Sequence, residues 1–140
     1  MGSNIVFSAN NNEEVMVLPV VPEIEVNKPQ NNEQFETLNN GTINLIGDEG
    51  LRTFSITSIF PSRKYSWLKP GSIAEPFKYI DFFNKWRNAK VPLRVVTSRY
   101  DGREWFNIPC TIDDFTFKQR KNGDVEYTLN VTEYRIIGGV

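Results

Sequence analysis

The side chains best suited to chemistry in this 140-residue chain are its carboxylates: Asp113-Asp114, Glu104 and the pair Glu13-Glu14. Two carboxylates at a set separation could cleave a glycosidic bond, one as acid and the other as base or nucleophile. Adjacent strand residues point to opposite faces, so Asp113 and Asp114 read as a bulge or turn between strands rather than such a pair. Asp101, Asp113 and Asp114 lack the ligand spacing of an EF-hand calcium loop. Histidine is absent, which removes the commonest general base and the commonest metal ligand. Ser62, Ser66 and Ser72 have no histidine to activate them and no nucleophile-elbow context. Glycine-rich phosphate loops of the GxGxxG or Walker type do not occur. Cys110 is the sole cysteine, which excludes an internal disulfide, and it reads as a small buried hydrophobe. The expectation is a protein that is not an enzyme and takes no metal or cofactor.

Binding then rests on aromatic side chains, of which the chain has 10 Phe, 5 Tyr and 3 Trp. Most are expected in the core or in subunit contacts. Tyr65, Trp67 and Leu68 stand among basic residues in the irregular stretch RKYSWLKPGS, while Tyr100 and Trp105 flank the turn signal Asp101-Gly102. These five are the candidate interface residues, with Trp67 foremost. A second reading uses Trp67, Trp105 and Tyr100, with Tyr65, as a stacking platform for cell-wall carbohydrate.

Composition narrows the partners. A net charge of −1 without a basic block argues against a nucleic-acid footprint and against adsorption to an anionic membrane. The start MGSNIVFSANNN lacks the pattern of a secretory signal, and no apolar stretch approaches the roughly 20 residues of a membrane span. Synthesis and folding in a reducing cytoplasm are the expectation. The length suits one β-rich domain over residues 1–140, with flexibility, if anywhere, in 1–12 and 137–140.

The elements that must position these residues are mostly strands. Ile5-Val6-Phe7 and Val15-Met16-Val17-Leu18 predict a hairpin about Asn10-Asn11-Asn12. Alternation predicts a strand or extended edge over Glu23–Val26, and strands over Glu33–Leu38 and Thr42–Ile46 about Asn40-Gly41. A further strand is expected in Leu51–Phe60, with Phe54 and Ile56 on one face. Ser72 with Glu75 matches a capping box, Pro76 suits a first helical turn, and the helix is placed from Pro76 until Pro92 stops it. Tyr79, Ile80, Phe82, Phe83 and Trp86 share one side of it, which predicts a helix lying on a sheet. Leu93–Ser98, two pieces within Trp105–Phe117 broken at Pro109 or Asp113-Asp114, and Val125–Ile136 complete the strands. The fold class is therefore mainly β with one amphipathic helix packed on the sheet.

Two stretches, Glu13–Val26 and Ile56–Arg87, also carry a family resemblance. Leu18-Pro19-Val20, Pro22, Val26, then Ile56, Ser58, Phe60, Pro61, then Pro76, Tyr79 and Trp86 resemble a pattern of phage tail proteins. These are the LysM-containing, XkdP-like tail and baseplate proteins of PBSX-type contractile tails; the closing strand with Glu133-Tyr134-Arg135-Ile136-Ile137 is similar as well. The resemblance implies an antiparallel, tail-tube-like barrel or sandwich and a structural role in a baseplate or hub, joining hub to tail tube. It implies residence in the tail of a phage-like particle assembled in the bacterial host, with baseplate, hub and tube proteins as partners and a homo-oligomeric ring as the assembled form. A LysM module is not recognisable within the chain, so peptidoglycan binding is not carried over, and Gly138-Gly139 would suit a linker.

Overall fold

The computed structural model describes residues 3–135. Its eight strands are β1 (Ile5–Ala9), β2 (Glu14–Val17), β3 (Glu33–Thr37), β4 (Gly41–Leu45), β5 (Thr53–Phe60), β6 (Leu93–Ser98), β7 (Glu104–Gln119) and β8 (Val125–Glu133), with one helix, α1 (Pro76–Asn88), between β5 and β6. Six strands form an antiparallel sheet in the order β2-β1-β6-β7-β8-β5; β3 and β4 form a separate two-stranded sheet. The mainly β fold with a single packed helix is thus what the chain adopts.

Local chemistry explains most boundaries. The β1–β2 turn carries Asn10, Asn11 and Asn12 in succession at φ of 52, 55 and 65°, a left-handed run that asparagine tolerates better than most residues. β1 is an interior strand, paired to β2 on one side and β6 on the other, so residues 5–9 belong to the sheet and not to a flexible arm. α1 starts at Pro76 behind Glu75, whose side chain makes no capping bond. Ser72 Oγ donates to the Lys69 carbonyl at 2.5 Å, so the expected capping box does not form. Nor does Pro92 stop the helix. Lys90 turns left-handed at φ 58°, with Lys90 N donating to Arg87 O and Val91 N to Trp86 O, a Schellman closure with lysine where glycine is usual.

Glu23–Val26 takes the extended course of the two expected, half-burying Ile24 and Val26 next to the Asn27–Thr53 bridge to the sheet. One other expectation changes. β7 is one unbroken strand of 16 residues. Its first part pairs with β6 up to Cys110 and its second with β8 from Cys110 onward. Pro109 is tolerated because its carbonyl, which accepts from Tyr134 N, points away from β6, as its missing N–H would. The Asp113-Asp114 irregularity is a bulge between Ile112 and Asp114, which lets Ile112 and Phe115 both turn inward. The predicted strand residue Ile136 lies outside the described residues.

The core lies between the curled sheet and α1. Tyr79, Ile80, Phe82, Phe83 and Trp86 are buried, while Phe77 stays outside, as the helical period predicts. Phe83 meets Phe7, Phe82 and Phe115 edge-on. Phe60 is stacked between Tyr79 and Tyr127, at ring separations of 4.7 and 3.8 Å. Burial of such rings contributes about 1.5–3 kcal/mol each. Tyr79 also joins the two edges of the sheet. Its ring stacks on Phe60 of β5, and its hydroxyl donates to Val17 O of β2 at 2.6 Å while accepting from Ile73 N at 2.9 Å. The sheet therefore closes round its core through a side chain, without hydrogen bonding between β2 and β5.

Candidate interaction site

The loop after β5 is ordered by one carboxylate. Asp124, 2% exposed at the end of the β7–β8 turn, accepts from Ser62 N at 2.7 Å and Ser62 Oγ at 2.8 Å on one oxygen. The other oxygen accepts from Tyr65 OH at 2.9 Å and Asn122 Nδ2 at 3.3 Å. Burial pushes the Asp124 carboxyl up, but the bonds from Ser62 and Tyr65 and the charge of Arg63 outweigh it and hold the group below its ordinary value. The turn itself depends on Gly123 at φ 96°, whose absent Cβ would lie 3.2 Å from Ser62 Oγ. Thus the loop and the turn are pinned together.

That anchor presents an aromatic pair. Arg63 Nε donates to Tyr65 OH at 3.0 Å, and the Tyr65 ring stacks on Trp67 at 4.7 Å and 13°. Trp67 remains 55% exposed; Leu68 is half-buried and its N–H donates to Tyr65 O. Tyr100 and Trp105, 79% and 47% exposed, line a groove of about 520 Å³ with Val21, Ile24 and Lys69 of the same loop as Trp67. Four of the five candidates thus occur as two pairs, the stacked Tyr65 and Trp67 and the groove-lining Tyr100 and Trp105.

Around the anchored loop the fold gathers cations that are scattered in the sequence. Arg63 and Lys64 lie beside the β7–β8 turn, which carries Arg120 and Lys121, and Lys118 precedes it on β7. Arg120 pairs with Glu126 at 2.7 Å. Beside them a groove of about 430 Å³ opens between Ile59, Phe117, Lys118, Arg120, Glu126 and Thr128. Sequence reasoning found Tyr65 and Trp67 but missed Asp124 and this basic end; the one available signal was an aspartate placed directly after Asn122-Gly123.

The acidic groups are engaged otherwise. Asp113 accepts from Thr111 and Thr132, and Asp114 from Asn130, on the sheet surface. Cys110 is fully buried, and burial pushes its thiol up to about 12, the opposite of a reactive cysteine. Among the described residues no three His, Cys, Asp or Glu side chains are grouped to hold a metal ion, and no helix is long and apolar enough to cross a membrane.

No family model matches the chain. An uncharacterized protein of Bacillus subtilis (strain 168), YqbP, is 27% identical over 121 residues, 84% of this chain. The chain spans about half the length of that relative, 53%. In three dimensions the fold is similar to a chain in the virion of a native gene transfer agent particle, with TM-score 0.62, 9% identity and coverage of 94% of this chain and 91% of that one. It is also similar to a chain in the tail of an empty gene transfer agent particle of C6 symmetry, with TM-score 0.59, 12% identity and coverage of 94% and 91%. A chain of the anti-feeding prophage baseplate, 6-fold symmetrised, gives TM-score 0.56, 11% identity and coverage of 96% and 89%. The fold is therefore one found in tail and baseplate structures.

Proposed function

We propose that this protein is a structural component of a phage-like contractile tail, acting by assembly in the baseplate or hub and joining hub to tail tube. The observation that carries the reading is the likeness in fold to tail and baseplate chains over at least 94% of the chain. The surface is consistent with it: exposed rings on an anchored loop suit protein contact, since aromatic side chains supply most contact energy at low entropic cost. In this reading the partners are copies of the chain in a ring together with hub and tube proteins, and the chain resides in the assembled tail. The interface candidates are Tyr65, Trp67 and Leu68 on the anchored loop and Tyr100 with Trp105 on the second groove.

The reading is tested by electron microscopy of native tails with gold-labelled antibody against this chain. Label at the tube–baseplate junction is expected, and tails without label would contradict it. A pull-down on purified peptidoglycan separates the carbohydrate reading: assembly predicts no retention of residues 1–140, and retention lost with Trp67→Ala would favour sugar binding.

A further inference from the structure

The β3–β4 hairpin stands apart from the main sheet, and two paired strands alone are marginally stable in water. Its register places Phe35, Ile43 and Leu45 on one face. Phe35 and Leu45 are 46% and 48% exposed, and none of the three belongs to the core. Residues 31–50 carry Glu33, Glu36, Asp48 and Glu49 and no lysine or arginine. An acidic element with an uncovered apolar face fits a partner that offers cations around an apolar groove.

This chain carries such a partner surface at its other end. The hairpin is rooted beside Thr53, through the bridges Asn27–Thr53 and Gln30–Glu49. The groove at Ile59 and the cations Arg63, Lys64, Lys118, Arg120 and Lys121 lie near the opposite end of the same ladder, where Phe60 pairs with Val125. Seven residue steps along β5 separate the two ends by roughly 23 Å. Among the described residues Arg120 pairs with Glu126, while Arg63, Lys64, Lys118 and Lys121 form no ion pair.

We infer that the hairpin of one copy docks on the basic groove of a second copy, Phe35, Ile43 and Leu45 against Ile59 and the apolar stems of Lys118 and Arg120. The inference rests on the assembly reading above and names its contact. Because the two surfaces differ and sit at opposite ends, the interface is heterologous and repeats from copy to copy, as a closed ring or a stack requires. Nothing in this contact needs a bond to be made or broken; it is burial plus charge attraction.

Sedimentation velocity on purified protein at low salt tests it. The wild-type chain self-associates, more weakly as salt rises. Phe35→Asp with Leu45→Asp, and separately Lys118→Glu with Lys121→Glu, each weaken association by at least about tenfold. Mixed together, these two variants form a 1:1 pair and nothing larger, since each retains the surface the other has lost. A charge-swapped chain guards against misfolding: Glu33→Lys and Glu36→Lys combined with Lys118→Glu and Lys121→Glu in one chain restores self-association by charge reversal. A wild-type chain that stays monomeric at every soluble concentration, variants that associate like wild type, or mixtures that do not pair would overturn the inference. So would a monomeric chain that instead holds a DNA duplex through Lys118 and Lys121. Gold label on tails would survive any of these results, so the contact and the tail reading fail separately.

Discussion

Helix α1 and the β3–β4 hairpin are built on the same device, an element with one apolar face, and they differ in what covers it. α1 lays Tyr79, Ile80, Phe82, Phe83 and Trp86 on the sheet and loses them from solvent. The hairpin holds Phe35, Ile43 and Leu45 in register outside the core, with Phe35 and Leu45 about half exposed. Amphipathic patterning thus specifies a face without specifying what meets it. In α1 that face stabilises the monomer, whereas in the hairpin it is left for another surface.

The largest expected difference between the two is in stability. Phe83→Ala, at a fully buried ring touching three others, should cost about 3–5 kcal/mol in a denaturant melt. Phe35→Ala should shift the same melt by no more than about 0.5 kcal/mol, the usual size of a surface change. A comparable loss at Phe35 would mean that the hairpin is covered in the monomer.

Next in size is the anchor of the exposed loop. Asp124→Asn keeps the shape but weakens bonds to Ser62 and Tyr65, and about 1–3 kcal/mol should be lost at neutral pH. The sign in acid follows from the lowered folded value of Asp124: its stabilisation is present above the unfolded value of about 3.9 and disappears as pH falls through the folded one. Glu133, held below its ordinary value by hydrogen bonds from Arg52, behaves alike. Melts of wild type and Asp124→Asn should therefore converge as the pH drops below about 4, and a gap independent of pH would contradict the anchor.

Tyr79→Phe should cost about 1–2 kcal/mol, because Val17 O and Ile73 N lose a shared partner while the ring stack on Phe60 remains. Its added effect should be faster hydrogen exchange at β2, the edge that hydroxyl holds. The smallest effect is a gain. Lys90→Gly removes a left-handed lysine at the end of α1 and should raise stability by about 0.5–1 kcal/mol. The equivalent substitution Asn39→Gly in the hairpin turn, which is not left-handed, should give no gain.

Much of this fold is legible in the residues, and the illegible parts share a cause. The face of α1, its start at Pro76, the hairpins at Asn10–Asn12 and Asn40-Gly41 and the alternation in β5 and β8 are set by neighbours close in sequence. What pattern reading misplaces depends on distant partners. Pro109 continues a strand because β8 ends beside it, and Lys90 closes α1 before Pro92 is reached. The site divides the same way. Tyr65 and Trp67 are visible as rings among cations, but Asp124 acquires its role only when a turn 62 residues from Ser62 folds against it. The basic end is likewise absent from the linear chain, since its cations come from a loop after β5 and from the β7–β8 turn.

The central claim is that the hairpin face is open in one copy and covered in the assembly. Amide hydrogen exchange, followed on Phe35 and Ile43 in dilute monomer and in the associated form, tests it most directly. The account predicts nearly unprotected hairpin amides in the monomer and strong protection on association, with α1 protected in both. Hairpin amides already protected in the monomer, or still exchanging freely after association, would contradict it.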